Sequence, residues 1–206
     1  MTTGIKLTLD WNCVIELEER RPQAACVQDL VDRHREGQFE VGLLAASASE
    51  NSKSKRFPGN ATVFMERISA LGWQDLPIVP MPAVFGLSYW DFCYFVDDVE
   101  KFKRDMDALW QAIAAKVPRK PADHLPPSMM LNDDSVQSEH LWKWRNTWCD
   151  VVSAYSHIHA GRDIFVTNNI RDFQKNSDKL SKLGMRKIST PLETLAAVDE
   201  LSFCNQ

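Results

Sequence analysis

Apolar residues recur along the first part of the chain in two spacings, and these predict a strand, a helix and a second strand. Residues 5–9 and 39–46 are short and largely apolar, which is typical of strands buried on both faces of a parallel sheet. Between them, residues 24–35 carry apolar side chains at intervals of three and four, which predicts a helix that ends at Gly37.

The last third of the chain repeats this alternation. Predicted strands at residues 164–166 and 185–189 are separated by a helical pattern. A helix opened by Asp150 precedes them, and the capping box of residues 190–193 starts a final helix that reaches residue 198. Strands that alternate with helices predict an α/β fold in which helices flank a central, mostly parallel sheet.

The middle of the chain, roughly residues 75–147, lacks this regular alternation. Prolines and aromatic side chains dominate residues 75–97, which predicts extended, irregular structure. Residues 99–117 carry the clearest helical stripe, and the proline-rich residues 118–127 end it. We therefore predict a single domain over residues 1–206, with an elaborated insertion in its middle.

The composition is that of an ordinary globular protein. The chain has 206 residues, of which 44% are hydrophobic, and this is enough to bury a core. No apolar run approaches the roughly 20 residues of a membrane helix, and residues 1–6 have no secretion-signal pattern, so a cytoplasmic protein without membrane association is expected. Because the net charge is -4, any grip on nucleic acid must come from a local basic surface.

Four polar positions follow predicted strands or open a predicted helix, and sites in open parallel sheets form at the carboxyl ends of strands. They are Asp10, Glu50, Asp150 and the turn Thr167–Asn168–Asn169. Each has a purely structural alternative, as a helix cap, a first-turn acid or a turn residue. Converging carboxylates are costly unless a cation neutralises them, and hard oxygen ligands suit Mg²⁺ or Mn²⁺. Together the four predict a metal site that activates water.

In order and placement, these motifs resemble those of the PIN-domain ribonucleases. Residues 9–12 (L-D-W-N) resemble the opening D-x-N of that family, and Glu50 resembles its second acid. Residues 150–154 (D-V-V-S-A) are similar to its third acidic motif. Residues 167–169 (T-N-N), followed by 171–173 (R-D-F), resemble its T-x-D turn and D-F pair.

The resemblance covers roughly residues 1–70 and 148–200, and it implies a PIN-like three-layer fold. The implied activity is hydrolysis of RNA phosphodiester bonds by an endoribonuclease that uses Mg²⁺ or Mn²⁺. The implied metal ligands are Asp10, Glu50 and Asp150. The implied catalytic residues are these three with Thr167 and Asn169, and Asn12 and Asp172 are further candidates. Basic residues that could hold RNA phosphates, with a solvated loop as their alternative, are Lys53, Lys55, Arg56 and Arg171.

Departures from the family pattern leave alternatives open. Asn169 stands where the family has a fourth acid, and the loss of one acid weakens metal affinity. The rival interpretation is therefore a catalytically impaired PIN-like module that binds RNA or a protein partner. A phosphoryl-transfer enzyme built on Asp10 is a third interpretation, but it needs an aspartate two residues on, where Asn12 stands.

Partners are implied by the resemblance alone. RNA is the implied substrate, many small bacterial PIN proteins are toxins paired with an antitoxin protein, and homodimers are common for this fold. No residue pattern in the chain points to an antitoxin or to a second copy, so both stand as expectations.

Overall fold

A computed structural model describes residues 4–49, 62–84, 87–88, 90–131 and 138–203. The chain divides into two compact units. The sheet unit comprises Met1–Leu44, Asp75–Val79 and His157–Gln206, and the second unit comprises Ala45–Gln74 and Pro80–Ser156. The second unit begins well before the predicted insertion of residues 75–147, and the prediction of one domain over residues 1–206 stays a prediction.

In the described part of the chain, seven short strands form two sheets, one in each unit. They are β1 (Lys6–Leu9), β2 (Glu40–Leu44), β3 (Ile78–Val79), β4 (Met81–Pro82), β5 (Cys93–Tyr94), β6 (Ile164–Val166) and β7 (Lys187–Ser189). The sheet unit holds five of them in the order β3-β2-β1-β6-β7, all parallel and flanked by helices. The predicted α/β class with a parallel sheet is confirmed.

Strand β1 lies at the centre of this sheet, because later strands are added first to one of its edges and then to the other. From β1 the chain moves outward through β2 to β3, and it then returns to the other edge of β1 as β6. Leu9 is accordingly paired with Leu43 on one side and with Val166 on the other. The carboxyl ends of β1 and β6 therefore border a topological switch point, where open α/β sheets bind their ligands.

Among the described residues, the α-helices that belong wholly to the sheet unit are α1 (Trp11–Glu18), α2 (Ala24–Arg35), α6 (Ser177–Lys182) and α7 (Pro191–Phe203). The bounds of α2 are those predicted from its apolar stripe. The capping box before α7 is also confirmed, since Thr190 N donates to Glu193 Oε2 at 2.8 Å and Glu193 N donates to Thr190 Oγ1 at 3.2 Å. The helix extends beyond the predicted residue 198.

The second unit is built around α3 (Thr62–Ala70), α4 (Val99–Ala114) and most of α5 (Trp142–His159). Asp98 caps α4 by accepting a hydrogen bond from Lys101 N at 2.8 Å. The helix buries the predicted stripe through Met106, Leu109 and Trp110 but ends before the predicted residue 117. None of the helices in the described part of the chain is long and apolar enough to cross a membrane.

Helix α5 corrects the prediction that Asp150 opens a helix. The helix begins at Trp142, about two turns earlier, so Asp150 lies in its middle. Trp144, Trp148 and Val151 are buried and lie three or four residues apart, which extends the apolar stripe upstream of Asp150. Aromatic residues have a weaker helix propensity than leucine or alanine, and no helix was predicted immediately upstream of Asp150.

Strand ends are the second point of difference. Residues 39–46 were predicted as one strand, but β2 ends at Leu44 and Ala45–Ser49 forms a 3₁₀ helix. Ala45 and Ala46 remain buried after the strand has ended, so the apolar pattern cannot mark its end. The last strand, predicted at residues 185–189, is likewise shorter, at Lys187–Ser189.

Two buried polar side chains, Arg162 and His157, form hydrogen bonds with residues of the central strand β1. Arg162 donates from Nε to Leu7 O at 3.2 Å and from Nη1 to Glu40 Oε1 at 2.6 Å, so it ties β1 to β2. His157 Nδ1 lies 2.9 Å from Thr8 Oγ1. Burial, with the nearby Arg162 charge, lowers the pKa of His157 to about 3, so its ring is neutral at physiological pH.

The first two helices end with the same backbone geometry but with different residues. After α1, Arg20 has a φ of 51° and Arg21 N donates to Glu16 O at 2.9 Å. After α2, Gly37 has a φ of 77° and Gln38 N donates to Arg33 O at 3.1 Å. Both are Schellman ends, whose left-handed residue is usually glycine because a Cβ is strained there.

We expect Arg20→Gly to raise the free energy of unfolding by about 0.5–1 kcal/mol, because relief of the strain exceeds the entropy that glycine adds to the unfolded chain. Urea unfolding measures the change. Gly37→Ala is the matched control and should lower stability by about 1 kcal/mol. A loss of stability in Arg20→Gly would contradict the assigned geometry.

Candidate active site

The first predicted site residue, Asp10, follows β1 directly at the switch point. Its backbone N donates to Val166 O at 3.0 Å, which continues the pairing of β1 with β6 one residue beyond the strand. Thr167 follows β6 in the same way, and its N donates to Ser189 O at 3.0 Å. The sheet therefore sets the positions of both backbones, and Asp10 is only 4% exposed.

The Asp10 carboxylate accepts hydrogen bonds at both oxygens. Trp11 N donates to Oδ1 at 2.8 Å, which makes Asp10 the N-cap of α1. Thr167 Oγ1 donates to Oδ2 at 2.7 Å, and Asn12 Nδ2 donates to the same atom. The capping role and a role in a polar site are thus both present, and they use different oxygens.

Asn12 and Thr167 join Asp10 in a three-residue arrangement, called here the Asp10 cluster. Asn12 Nδ2 also donates to Thr167 Oγ1, at 2.9 Å. The Asn12 Oδ1 atom accepts from Asn168 N at 2.9 Å, so both ends of this amide are engaged. The amide of Asn12 therefore connects the start of α1 to the turn after β6.

Burial dominates the electrostatics of the cluster. It raises the pKa of Asp10 from 3.8 to about 6, and the hydrogen bonds from Thr167, Trp11 and Asn12 offset only part of that effect. These three donors are all neutral. An ionised Asp10 therefore carries a desolvation cost that a divalent cation beside it would offset, and its oxygens are ligands that Mg²⁺ and Mn²⁺ favour.

Asn169 and Asp172 belong to the turn after β6. Asn169 N donates to Thr167 Oγ1 at 3.0 Å, and Asn169 Oδ1 accepts from Asp172 N at 3.2 Å. The Asp172 carboxylate pairs with Arg171, whose side chain is 85% exposed. Asn169 thus approaches the cluster through its backbone, while its side chain closes the turn.

The remaining predicted residues lie elsewhere. Asp150 is half-buried in α5, in the second unit. Glu50, Lys53, Lys55 and Arg56 lie outside the described residues. Within the described ranges, no group of three or more His, Cys, Asp or Glu side chains is arranged to hold a metal ion. The convergence of Glu50 and Asp150 on Asp10 therefore stays a prediction.

Two neighbours of the cluster were not anticipated. Cys13 is buried one turn beyond Asp10, and burial, with the charges of Asp10 and Glu16, raises its thiol pKa, so it is not poised as a nucleophile. Gln23 donates from Nε2 to Asn168 Oδ1 at 2.9 Å. No local signal marks Gln23 because the two residues are 145 positions apart.

Comparisons with protein-family models, curated proteins and solved structures found no match to this chain. Any function assigned to it therefore depends on its own residues and their geometry. The geometry defines a buried carboxylate at the switch point of a parallel α/β sheet, held by a hydroxyl and an amide.

We expect Asp10→Asn to change how stability depends on pH. The folded state binds the Asp10 proton more tightly than the unfolded chain does, so the contribution of Asp10 falls as pH rises from about 4 to about 6. The amide resembles the protonated carboxyl. Relative to wild type, the variant should therefore gain on the order of 3 kcal/mol between pH 4 and pH 7.5.

Urea unfolding at both pH values in EDTA measures this difference. A helix-surface variant, Asp178→Asn, serves as the matched control because Asp178 is exposed on α6 and should show no such gain. An Asp10→Asn variant whose stability runs parallel to that of wild type over this range would refute the raised pKa.

Proposed function

We propose that this chain is a PIN-like, metal-dependent endoribonuclease that hydrolyses RNA phosphodiester bonds with Mg²⁺ or Mn²⁺. The observation that carries the proposal is the buried Asp10 carboxylate at the switch point. Its hydrogen-bond donors within the described residues are all neutral, so no cationic side chain among them offsets its charge. Such a carboxylate is costly for stability, and metal binding is a function that makes use of it.

In the proposed site, some residues bind the metal and others orient the metal ligand. Asp10 holds the metal, and Asn12 and Thr167 keep the orientation of its carboxylate through hydrogen bonds to Oδ2. Glu50 and Asp150 complete the ligand set by resemblance to the PIN-domain motifs. When bound, the metal lowers the pKa of a water molecule and offsets the charge that builds on the phosphate.

Basic side chains provide the contacts to RNA. Arg171 lies four residues after Thr167 and is highly exposed, so its guanidinium can reach a phosphate despite its pairing with Asp172. Lys53, Lys55 and Arg56 are the other proposed phosphate contacts. Because the net charge is -4, binding should be weak. Because the proposed contacts are to phosphates, it should weaken further as the salt concentration rises.

A second candidate is favoured by Asn169. This amide replaces the fourth acid of the resembled family, and its Oδ1 atom already accepts a hydrogen bond from Asp172 N. A PIN-like module that binds RNA or a protein partner without metal chemistry would tolerate this replacement. A toxin role with an antitoxin partner and a homodimer belong to the nuclease proposal by resemblance. A cytoplasmic location belongs to it as the expectation from the sequence.

The deciding experiment is cleavage of a panel of single-stranded and structured RNAs in Mg²⁺, in Mn²⁺ and in EDTA. Wild type should cut only with a metal. Asp10→Asn should reduce the rate by more than the ~100-fold typical of a lost outer-shell partner. At metal concentrations well below saturation, activity should also rise as Asp10 ionises, because metal binding requires the ionised carboxylate.

Controls separate the two candidates. Asp178→Asn removes an exposed acid on α6 and should cut like wild type. Glu50→Gln and Asp150→Asn should each lower the rate if the full ligand set is used. Metal-independent cutting, or cutting that survives Asp10→Asn, would refute the proposal. RNA retention without cleavage in either metal would favour the binding module.

A further inference from the structure

Gln23 connects three separate parts of the sheet unit, two through its side chain and one through its backbone. It precedes α2, and its amide makes no capping bond to that helix. Instead, Nε2 donates to Asn168 Oδ1 at 2.9 Å, and Oε1 accepts from Leu192 N at 3.1 Å in the first turn of α7. Its backbone N donates to Glu16 Oε2 in α1 at 3.2 Å.

The two side-chain hydrogen bonds of Gln23, called here the Gln23 bridge, have an orientation that one backbone donor determines. Leu192 N can only donate, so the end of the Gln23 amide that faces it must be Oε1. Nε2 then faces Asn168, whose facing atom must be Oδ1. The Asn168 Nδ2 atom is therefore buried without a hydrogen-bond partner in the described structure. Such a buried donor lowers stability, and the orientation of the Gln23 amide imposes it.

The bridge continues into the Asp10 cluster. The residue that Gln23 holds by its side chain, Asn168, donates from its backbone N to Asn12 Oδ1. Because Oδ1 of Asn12 accepts there, its Nδ2 atom must point the other way, toward Asp10 Oδ2 and Thr167 Oγ1. A chain of directional hydrogen bonds thus runs from the start of α7 to the candidate metal ligand.

We propose that Gln23 is a positioning residue for the active site. It holds Asn168 so that the backbone N–H of that residue orients the Asn12 amide toward Asp10. Its link to metal chemistry rests on the proposed function, whereas the orientation of Asn12 is a property of the protein alone. The proposal therefore predicts an effect on Asn12 in the absence of metal and RNA.

The experiment compares variants of this chain with wild type by NMR, without metal or RNA. Gln23→Leu removes the bridge, and Gln23→Asn retains an amide that is one methylene too short to span both partners. Gln28→Leu is the matched control, because Gln28 lies in α2, the helix that Gln23 precedes, and within the described residues its side chain bonds the exposed Asp32. Hydrogen exchange is followed at Asn168 N–H, together with the side-chain NH₂ resonance of Asn12, which is assigned from its loss in Asn12→Asp.

Gln23→Leu and Gln23→Asn should each speed exchange at Asn168 N–H by about tenfold, the scale of one lost hydrogen bond. Both should shift the Asn12 NH₂ resonance, and Gln28→Leu should change neither signal. Wild-type exchange and an unshifted Asn12 resonance in the two Gln23 variants would overturn the proposal and leave Gln23 as a tie between helices.

Gln23→Glu provides a test that survives if the other variants fail to fold. A carboxylate can accept from Leu192 N and also from Asn168 Nδ2 once that amide is reversed, which satisfies the buried donor. Protection of Asn168 N–H should therefore equal that of wild type, and faster exchange in Gln23→Glu would count against the proposal.

Titration with Mn²⁺ extends the test to function. If the proposal holds, Gln23→Leu should weaken Mn²⁺ binding about tenfold relative to Gln28→Leu, as loss of an outer-shell partner does. Equal binding by these two variants would refute a role at the metal. Absence of Mn²⁺ binding by wild type would instead refute the proposed function, while the exchange data still decide the orientation of Asn12.

Discussion

The pairing of β1 with strands on both of its edges is the constraint on which the rest of the sheet unit depends. It continues one residue past the strand, where Asp10 N donates to Val166 O, and this places Asp10 beside the turn that begins at Thr167. Backbone hydrogen bonds hold these positions, so the side chains need only complete the cluster. The candidate site is in this sense a consequence of sheet topology.

Burial shifts the pKa values of two side chains in the sheet unit, Asp10 and His157. Stability from Asp10 is lost as pH rises from about 4 to about 6, because its folded pKa is raised. The pKa of His157 is shifted in the opposite direction, from 6.5 to about 3. The stability that His157 contributes is therefore lost as pH falls from 6.5 toward 3. Between about pH 4 and pH 6 the two effects oppose each other. Neutral donors stabilise the Asp10 site, whereas a charged guanidinium, that of Arg162, lies near His157.

Much of the fold could be predicted because periodicity reports burial. The bounds of α2, the capping box before α7 and the parallel sheet followed from apolar spacing and from capping chemistry. The start of α5 could not be predicted, because its upstream turns carry tryptophans, whose helix propensity is weak. Strand ends such as that after Leu44 were missed because burial outlasts the strand.

By itself, the sequence determined which residues are able to do chemistry and which strand ends carry them, since Asp10 and Thr167 each follow an apolar run. Only the tertiary structure decided which atoms meet: that Asn12 faces Asp10 and Thr167, that Asn169 turns its side chain to Asp172, and that Gln23 holds Asn168. The reason is physical. Local pattern reflects the burial of each residue, whereas the direction of a hydrogen bond depends on a partner that lies far away in the chain.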